Sequence, residues 1–397
     1  MGAVPKATPN WKQEIEKPVR VRLATSLNKI VLQGFGLKVQ GQVGPYQPVA
    51  VGRMGTLEID RVKTEVGWFW RIKKTEAGSE KFELKKATSL VVEGNELRKG
   101  TQDLPERLVL TSLYKGFDLV GVLAIENYLV GVLSSEMPLT WPMEALKSQA
   151  VAARSYTLAV MRERRHLHYD VESTILDQVF NHVSRRLDSD KMIGKARRAV
   201  EETTGVVLLN QKSQVAKAFY HADCGGRTIG ARHVWGAGEK SPVVVDSSCP
   251  GHPRSKWSLN LTADEMRTKL KKKFDITGEI ESLLALAHSP RDRAEKLKVR
   301  MVDGREHTLN ADEFRAALGY SELRSTFFRV ERTGDQFEFK GQGWGHGVGL
   351  CQWGSRKLAE TGSGALEILK HYYPLSLIAG EIRNSPRVAL RKTAEPE

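Results

Sequence analysis

Glu136 lies in Ser134-Ser135-Glu136-Met137-Pro138, at the end of the apolar run Tyr128-Leu129-Val130-Gly131-Val132-Leu133. A carboxylate closing a buried stretch meets low dielectric, which disfavours its charged form. A carboxyl group poised near neutrality both gives and takes a proton, the requirement of a general acid/base. Lys147 and Arg154 follow on a segment that is otherwise small and apolar, Ala150-Val151-Ala152-Ala153 and Ser155-Tyr156-Thr157-Leu158-Ala159-Val160. Their separation is two helical turns, so both cations point the same way. On a helix apolar on nearly all faces they need anionic partners, either structural carboxylates or an acidic substrate.

A second constellation is His221-x2-Cys224 with Cys249-x2-His252. Two nitrogen/sulfur pairs at this spacing suit a tetrahedral, structural zinc site. A Cys224–Cys249 disulfide and two unconnected buried thiols are the alternatives. If His252 swings away, the fourth position opens and a bound zinc activates water. Cys351 stands apart and reads as a buried thiol.

The third is Gly341-Gln342-Gly343-Trp344-Gly345-His346-Gly347-Val348-Gly349, followed by Gln352 and Trp353. Alternating glycines bring the backbone close to something. No Gly-Lys-Ser/Thr ending makes it a phosphate loop, and no strand–helix unit with a distal acid makes it a dinucleotide fold. His346, Gln352 and Trp353 suit carbohydrate; the plainer reading is a tight strand-to-helix corner around a buried histidine. Asp170, Asp177 and Gln178 form a weaker polar group on what reads as a loop.

The elements that must position these residues are mixed. Val19-Arg20-Val21-Arg22-Leu23 and Thr56-Leu57-Glu58-Ile59-Asp60 alternate as strands do, and Gly67-Trp68-Phe69-Trp70-Arg71-Ile72 is aromatic-rich. A helix is expected from Pro142 to Arg164, with proline in the first turn, and a second over Lys191–Glu202. Strands are expected at Gly205–Leu209, Ala216–Tyr220 and Phe337–Lys340. Thr262-Ala263-Asp264-Glu265 reads as a helix start, and Gly362 as the stop of a helix from Leu350 to Thr361. The expected class is α+β: a mixed catalytic core, an N-terminal β-rich region, and a helical, charged insertion. Expected boundaries are a tail at 1–17, a β-rich domain at 18–114, core at 115–260, insertion at 261–335, the Gly-rich second part of the core at 336–385, and a tail at 386–397.

The chain has 397 residues, enough for two or three domains with a sizeable core. Lys plus Arg is 61 and Asp plus Glu is 47, a net of +14. Such an excess favours anionic polymers. No RNP, zinc-finger or P-loop signature accompanies it, so nucleic acid is not the expected partner. No apolar stretch reaches spanning length, so no transmembrane segment is expected. No secretory leader is visible at the N-terminus.

Glu126–Pro138 and Ala145-Leu146-Lys147-Ser148-Gln149-Ala150-Val151-Ala152-Ala153-Arg154-Ser155-Tyr156 resemble the SpoIID/LytB family, as do Gly225-Gly226-Arg227-Thr228 and Gly345–Gly354. Phe314-Arg315, Leu318-Gly319 and His371-Tyr372-Tyr373-Pro374 match more faintly. The resemblance spans about residues 115 to 380. It includes the stage II sporulation protein D type, a peptidoglycan lytic transglycosylase, and LytB-type amidase enhancers. It implies cleavage between N-acetylmuramic acid and N-acetylglucosamine on glycan strands, stripped of stem peptides for the sporulation type. Glu136 is then the acid/base, and Lys147 and Arg154 fall on basic positions near it. Zinc held by Cys and His occurs in some members, at the region of His221 and Cys224. It further implies a cell-wall amidase as partner and a cell-envelope location, periplasmic or secreted. Cys351 departs from the family's serine, Ser355 from a common alanine, and Phe180 from a usual tyrosine.

A lytic transglycosylase needs one carboxyl group where an ordinary glycosidase needs two, because the nucleophile is the sugar's own C6 hydroxyl. Substrate contacts are expected from Lys147, Arg154, Asp177, Gln178, His346 and Gln352. Asp177 and Glu144 are the alternatives for a second acid. A non-catalytic wall-binding enhancer and a zinc hydrolase with Glu136 as base are the competing classes.

Overall fold

In a computed structural model of the chain, the described residues are 11–384 apart from 42–48, 51–53, 66, 75–80, 86, 188, 237–240, 247–248, 250–254, 288 and 290–291. The tail expectations at 1–10 and 386–397 lie outside them, as does His252. Trp11–Ile15 (α1) forms a helical turn within the segment read as a tail. The chain divides into two compact units, Met1–Trp141 with Ala153–Val207, and Pro142–Ala152 with Leu208–Glu397.

The first unit is built on an eleven-stranded sheet. Its strands are β1 (Val19–Leu27), β2 (Lys29–Gly41), β3 (Val49–Ala50), β4 (Met54–Thr64), β5 (Gly67–Lys74), β6 (Lys81–Lys85), β7 (Ser89–Lys99), β8 (Gln102–Asp103), β9 (Arg107–Ser112), β10 (Phe117–Leu123) and β11 (Val171–Glu172). The spatial order is β11-β1-β10-β9-β7-β2-β4-β5-β6, with β3 on β2 and β8 on β7. All neighbours are antiparallel except β1 and β11. Strand alternation explains the core. Ile30 and Leu32 of β2 are buried, and the alternation slips at Phe35–Gly36, where the register with β7 shifts, before resuming at Leu37 and Val39. Trp70 of β5 and Phe117 of β10 meet with ring centroids 5.2 Å apart. The two strands are remote in the sheet order, so the sheet curls over one apolar core.

Three helices follow: α2 (Ile125–Glu136), α3 (Met143–Glu163) and α4 (Lys191–Glu201). α4 is capped by Asp190, whose carboxylate accepts from the N–H groups of Met192 and Ile193. Residues 145–160 of α3 are all buried, as its apolar composition required.

The second unit holds α5 (Ala231–Trp235), α6 (Ala263–Phe274), α7 (Ala311–Leu318), α8 (Gln352–Glu360) and α9 (Ala365–Tyr372). Its strands are β12 (Val207–Leu209), β13 (Tyr220–His221), β14 (Lys256–Thr262), β15 (Ile280–Leu286), β16 (Lys296–Met301), β17 (Glu306–Asn310), β18 (Phe328–Thr333), β19 (Gln336–Gln342), β20 (Leu350–Cys351) and β21 (Leu377–Ala379). They form sheets β14-β19-β18 and β15-β16-β17 and the pairs β12–β21 and β13–β20. The α+β class holds, but the charged stretch is not a helical insertion. In β16, Leu297, Val299 and Met301 are fully buried while Lys296, Lys298 and Arg300 alternate with them. The lysines and arginines sit on the outer face of a strand at period two. The helix start at Thr262 does form, as a capping box with Glu265. Ala216–Phe219 does not join a strand; only Tyr220–His221 does.

Candidate functional site

Glu136 ends α2, one residue before the C-cap Met137, whose N–H closes on the Leu133 carbonyl. The following Pro138 fits a helix that stops here. The carboxylate is half-buried, and its Oε1 accepts the N–H of Val179 at 2.7 Å. Val179 lies on the segment 173–183, which crosses α2 at Gly131. A Cβ on Gly131 would come within 2.5 Å of both the Asn181 carbonyl oxygen and the Phe180 ring, so only glycine admits this approach. One turn on, the Ser135 hydroxyl donates to the Gly131 carbonyl and accepts from the Asn181 N–H.

Asp177 and Gln178 anchor the same segment. The Gln178 Oε1 accepts from the Tyr128 hydroxyl at 2.9 Å and the Thr157 hydroxyl at 2.8 Å, and Nε2 donates to the Ala153 carbonyl at 3.3 Å. The residue is fully buried. Asp177 accepts from Arg164, from the Tyr156 hydroxyl at 2.9 Å and from the Glu172 N–H at 2.8 Å. Burial and the Asp177 carboxylate hold the Tyr156 phenol well above its usual range. Both residues, expected to meet substrate, are instead consumed in fixing the loop that carries Val179. Asp170 is likewise engaged, by Arg20.

Lys147 and Arg154 are likewise engaged within the fold. Arg154 is fully buried; it grips the Glu126 carboxylate with Nε at 3.0 Å and Nη2 at 2.6 Å, and Nη1 donates to the Val206 carbonyl. Lys147 is fully buried and reaches the Glu144 carboxylate at 2.9 Å and the carbonyls of Arg383 and Asn384, each at 3.0 Å. Glu144 also accepts the Ala365 N–H at 2.9 Å. The alternative of structural carboxylate partners holds for both cations.

The cysteines converge, with a donor set different from the expected one. Ligand atoms of Asp223, Cys224, Cys249 and Cys351 all lie within 4.8 Å of one another, and all four residues are buried. Cys351, read as an isolated thiol, is brought in by the parallel pairing of β13 with β20, which sets His221 beside Cys351. His221 is buried nearby with Nδ1 at 3.1 Å from the Val348 oxygen, but is not one of the four. All three cysteines are free, so the Cys224–Cys249 disulfide is not formed. The Sγ atoms of Cys249 and Cys351 are 3.0 Å apart.

These residues fit a thiophilic divalent ion. Tetrahedral ligands about 2.3 Å from zinc lie roughly 4 Å apart, which matches the spread. Backbone N–H groups already point at sulfur: Cys224 and Gly354 to the Cys351 Sγ, and Gly226 to the Cys224 Sγ, each at 3.3 Å. Such donors favour thiolates. Cys351 is also the N-cap of α8. Burial pushes its thiol up, but hydrogen bonds from Cys224, Cys249 and Gly354 outweigh that and bring it down to about 6. For Cys224 the hydrogen bond with Cys249 pulls the thiol down, but the one with Cys351, together with burial, outweighs it and pushes it up to about 12. Asp246, also buried, accepts the Tyr372 hydroxyl at 2.5 Å and lies 3.5 Å from the Cys224 sulfur.

His346 is partly exposed and is held by its neighbours. Its Nδ1 accepts the Val348 N–H at 3.0 Å, its ring bonds the Tyr220 backbone, and Trp235 lies 5.2 Å away. Burial, then His221, Arg315 and Arg293, holds it neutral. Gln352 is buried, and its Nε2 has no hydrogen-bond partner among the described residues. Asp223, Asp246 and Arg293 were not singled out from the sequence, and Tyr372 only within the His371–Pro374 motif. Asp223 sits in His221-Ala222-Asp223-Cys224 and was legible as a donor there; the others come from distant segments with no local spacing signal.

Comparison with known proteins places this geometry. Residues 114–209 match the family described as stage II sporulation protein. Residues 245–349 match a domain of unknown function. An uncharacterized protein of Brachyspira hyodysenteriae is 31% identical over 64% of this chain and 66% of its own length. The stage II sporulation protein D of Bacillus subtilis is 28% identical over 69% of this chain and 80% of its own. The amidase enhancer of the same organism is 26% identical, over 62% of this chain and 39% of its own length. The stretch that builds α2, α3 and the loop on Glu136 is thus the stretch the family model covers, and there the chain carries a stage II sporulation protein domain.

Proposed function

We propose that this protein acts on the bacterial cell wall as a peptidoglycan lytic transglycosylase with Glu136 as its general acid/base. The observation that carries the reading is the state of the carboxylates. Glu136 is half-buried and oriented by the Val179 N–H. The two alternatives for a second acid are committed elsewhere, Asp177 to Arg164 and Tyr156, and Glu144 to Lys147 and Ala365. A single positioned acid suits a reaction whose nucleophile is intramolecular.

Glu136 would donate its proton to the glycosidic oxygen as the bond from the muramyl C1 breaks. The resulting carboxylate then takes the proton of the C6 hydroxyl on that sugar as its oxygen bonds to C1. The products are a 1,6-anhydro-muramyl end and a free N-acetylglucosamine hydroxyl, with Glu136 reprotonated. Stripped strands carry lactyl carboxylates, which the net charge of +14 favours. When bound, a zinc ion would cross-link the segments of Asp223–Cys224, Cys249 and Cys351, a structural contribution. A cell-envelope location accords with this substrate, and no helix among the described residues is long and apolar enough to cross a membrane.

The test is mass spectrometry of digested peptide-stripped glycan. Wild type yields anhydro-muramyl ends, and Glu136→Gln yields none while its circular dichroism is unchanged. Retained product in that variant refutes the assignment. A second reading, a non-catalytic amidase enhancer, is favoured by the amidase-enhancer relative. It gives no anhydro ends from wild type but raises the rate of an added wall amidase.

A further inference from the structure

Arg293 is a buried cation. It is 2% exposed, and among the described residues no carboxylate pairs with it. Its guanidinium is aimed at the segment that carries two of the four candidate ligands. Nη2 donates to the carbonyls of Cys224 at 2.9 Å and Asp223 at 3.3 Å, and Nη1 to the carbonyl of Gly345 at 3.0 Å. The Gly-rich run makes room for it. Gly347 has φ +82°, and a Cβ there would stand 2.4 Å from the Arg293 Nε. What the alternating glycines approach is therefore, in part, this side chain.

We propose that Arg293 is the charge partner of the Asp223–Cys224–Cys249–Cys351 centre, a positioning residue that compensates its negative charge and holds its first loop. The proposal rests on the metal-binding reading of that centre. A divalent ion held by thiolates and a carboxylate leaves the centre net negative, and a buried net charge demands a counter-charge. A buried guanidinium bound only to carbonyl dipoles has the opposite deficit. Each offsets the other, and the fork fixes the carbonyls of two adjacent ligands so that their side chains converge. Arg293 comes from the stretch matched only as a domain of unknown function. Delivering this cation gives that stretch a role in the centre.

The experiment compares the purified full chain with Arg293→Met and Arg293→Lys. Zinc affinity is measured by competition with a chromophoric chelator, and cobalt loading by its thiolate charge-transfer absorbance. Wild type binds both ions. Arg293→Met should bind zinc about 10- to 100-fold more weakly, the usual effect of removing an outer-shell partner, while Arg293→Lys, which keeps the charge, recovers most of the loss. Equal affinity for wild type and Arg293→Met overturns the proposal, as does a lysine variant no better than methionine. Should Arg293→Met fail to fold, Arg293→Met/Asp223→Asn removes one charge from each side. Recovery of a cooperative melt supports charge pairing, and continued failure assigns Arg293 to packing alone and overturns it. Absence of metal binding by folded wild type instead refutes the metal reading, a separate outcome.

Discussion

Gln178 shows how much one amide does here. Replacing it by alanine leaves the Tyr128 hydroxyl without its partner in a buried setting, while the Thr157 hydroxyl keeps its bond to the Ala153 carbonyl. A buried hydroxyl orphaned in this way costs about 1–3 kcal/mol. Gln178→Ala should therefore lower the melting temperature and reduce turnover, because Val179 is its neighbour and holds Glu136. Thermal denaturation paired with a product assay checks this; full activity in a destabilised protein would detach Gln178 from the acid. The place of Glu136, closing an apolar run, was legible in the sequence. The roles of Asp177, Gln178, Lys147 and Arg154 were not, because a polar side chain looks the same in sequence whether it faces substrate or a buried hydroxyl. For Arg154 the deciding partner, Glu126, lies 28 residues away. Arg154→Met should cost about 3–5 kcal/mol by leaving Glu126 without its cation, measurable by urea denaturation.

Elements were legible where local chemistry fixes them. α3, α4 and the capping box of α6 follow from proline, aspartate and the threonine–glutamate pair near their starts. β15 to β17 were hidden because their charge density was read before their period. The crossing of the 173–183 segment over α2 depends on contacts between positions about 50 residues apart, which no window of sequence reveals. Gly131→Ala inserts a methyl group where there is no room, and overpacking of this kind costs about 1–3 kcal/mol. The expected result is a lower melting temperature with weakened activity, since the strain falls on the loop that orients Glu136. Unchanged stability would mean the crossing is looser than the structure has it.

Over the whole molecule, stability should depend on acid in a specific window. His182 is brought down to about 4, chiefly by burial, with Arg197 adding to the effect and Asp103 opposing it. Its unfolded value is about 6.5. Between these values the unfolded chain binds the extra proton, so stability falls as pH drops from about 6.5 towards 4 and is fully present above. The loss is on the order of a few kcal/mol at its limit. Chemical denaturation across that range should show the decline, and His182→Phe should flatten it. A profile identical in the two proteins would remove His182 from the account. The metal contributes separately: a chelator should lower the melting temperature of wild type, and Cys351→Ser should reduce both that response and the metal content.

The two-residue ladder that sets His221 beside Cys351 has one more consequence. Val245 bridges Arg227 and Trp344 bridges Asp223, so the long excursion between them departs and returns at nearly the same spot. An ion clasping Cys249 and Cys351 would tie together the two ends of a stretch of about a hundred residues in the folded chain, and its binding free energy would add to the stability of that whole stretch. Starving the organism of that ion would then loosen an entire lobe at once, making trace-metal supply a determinant of how long the protein survives proteolysis.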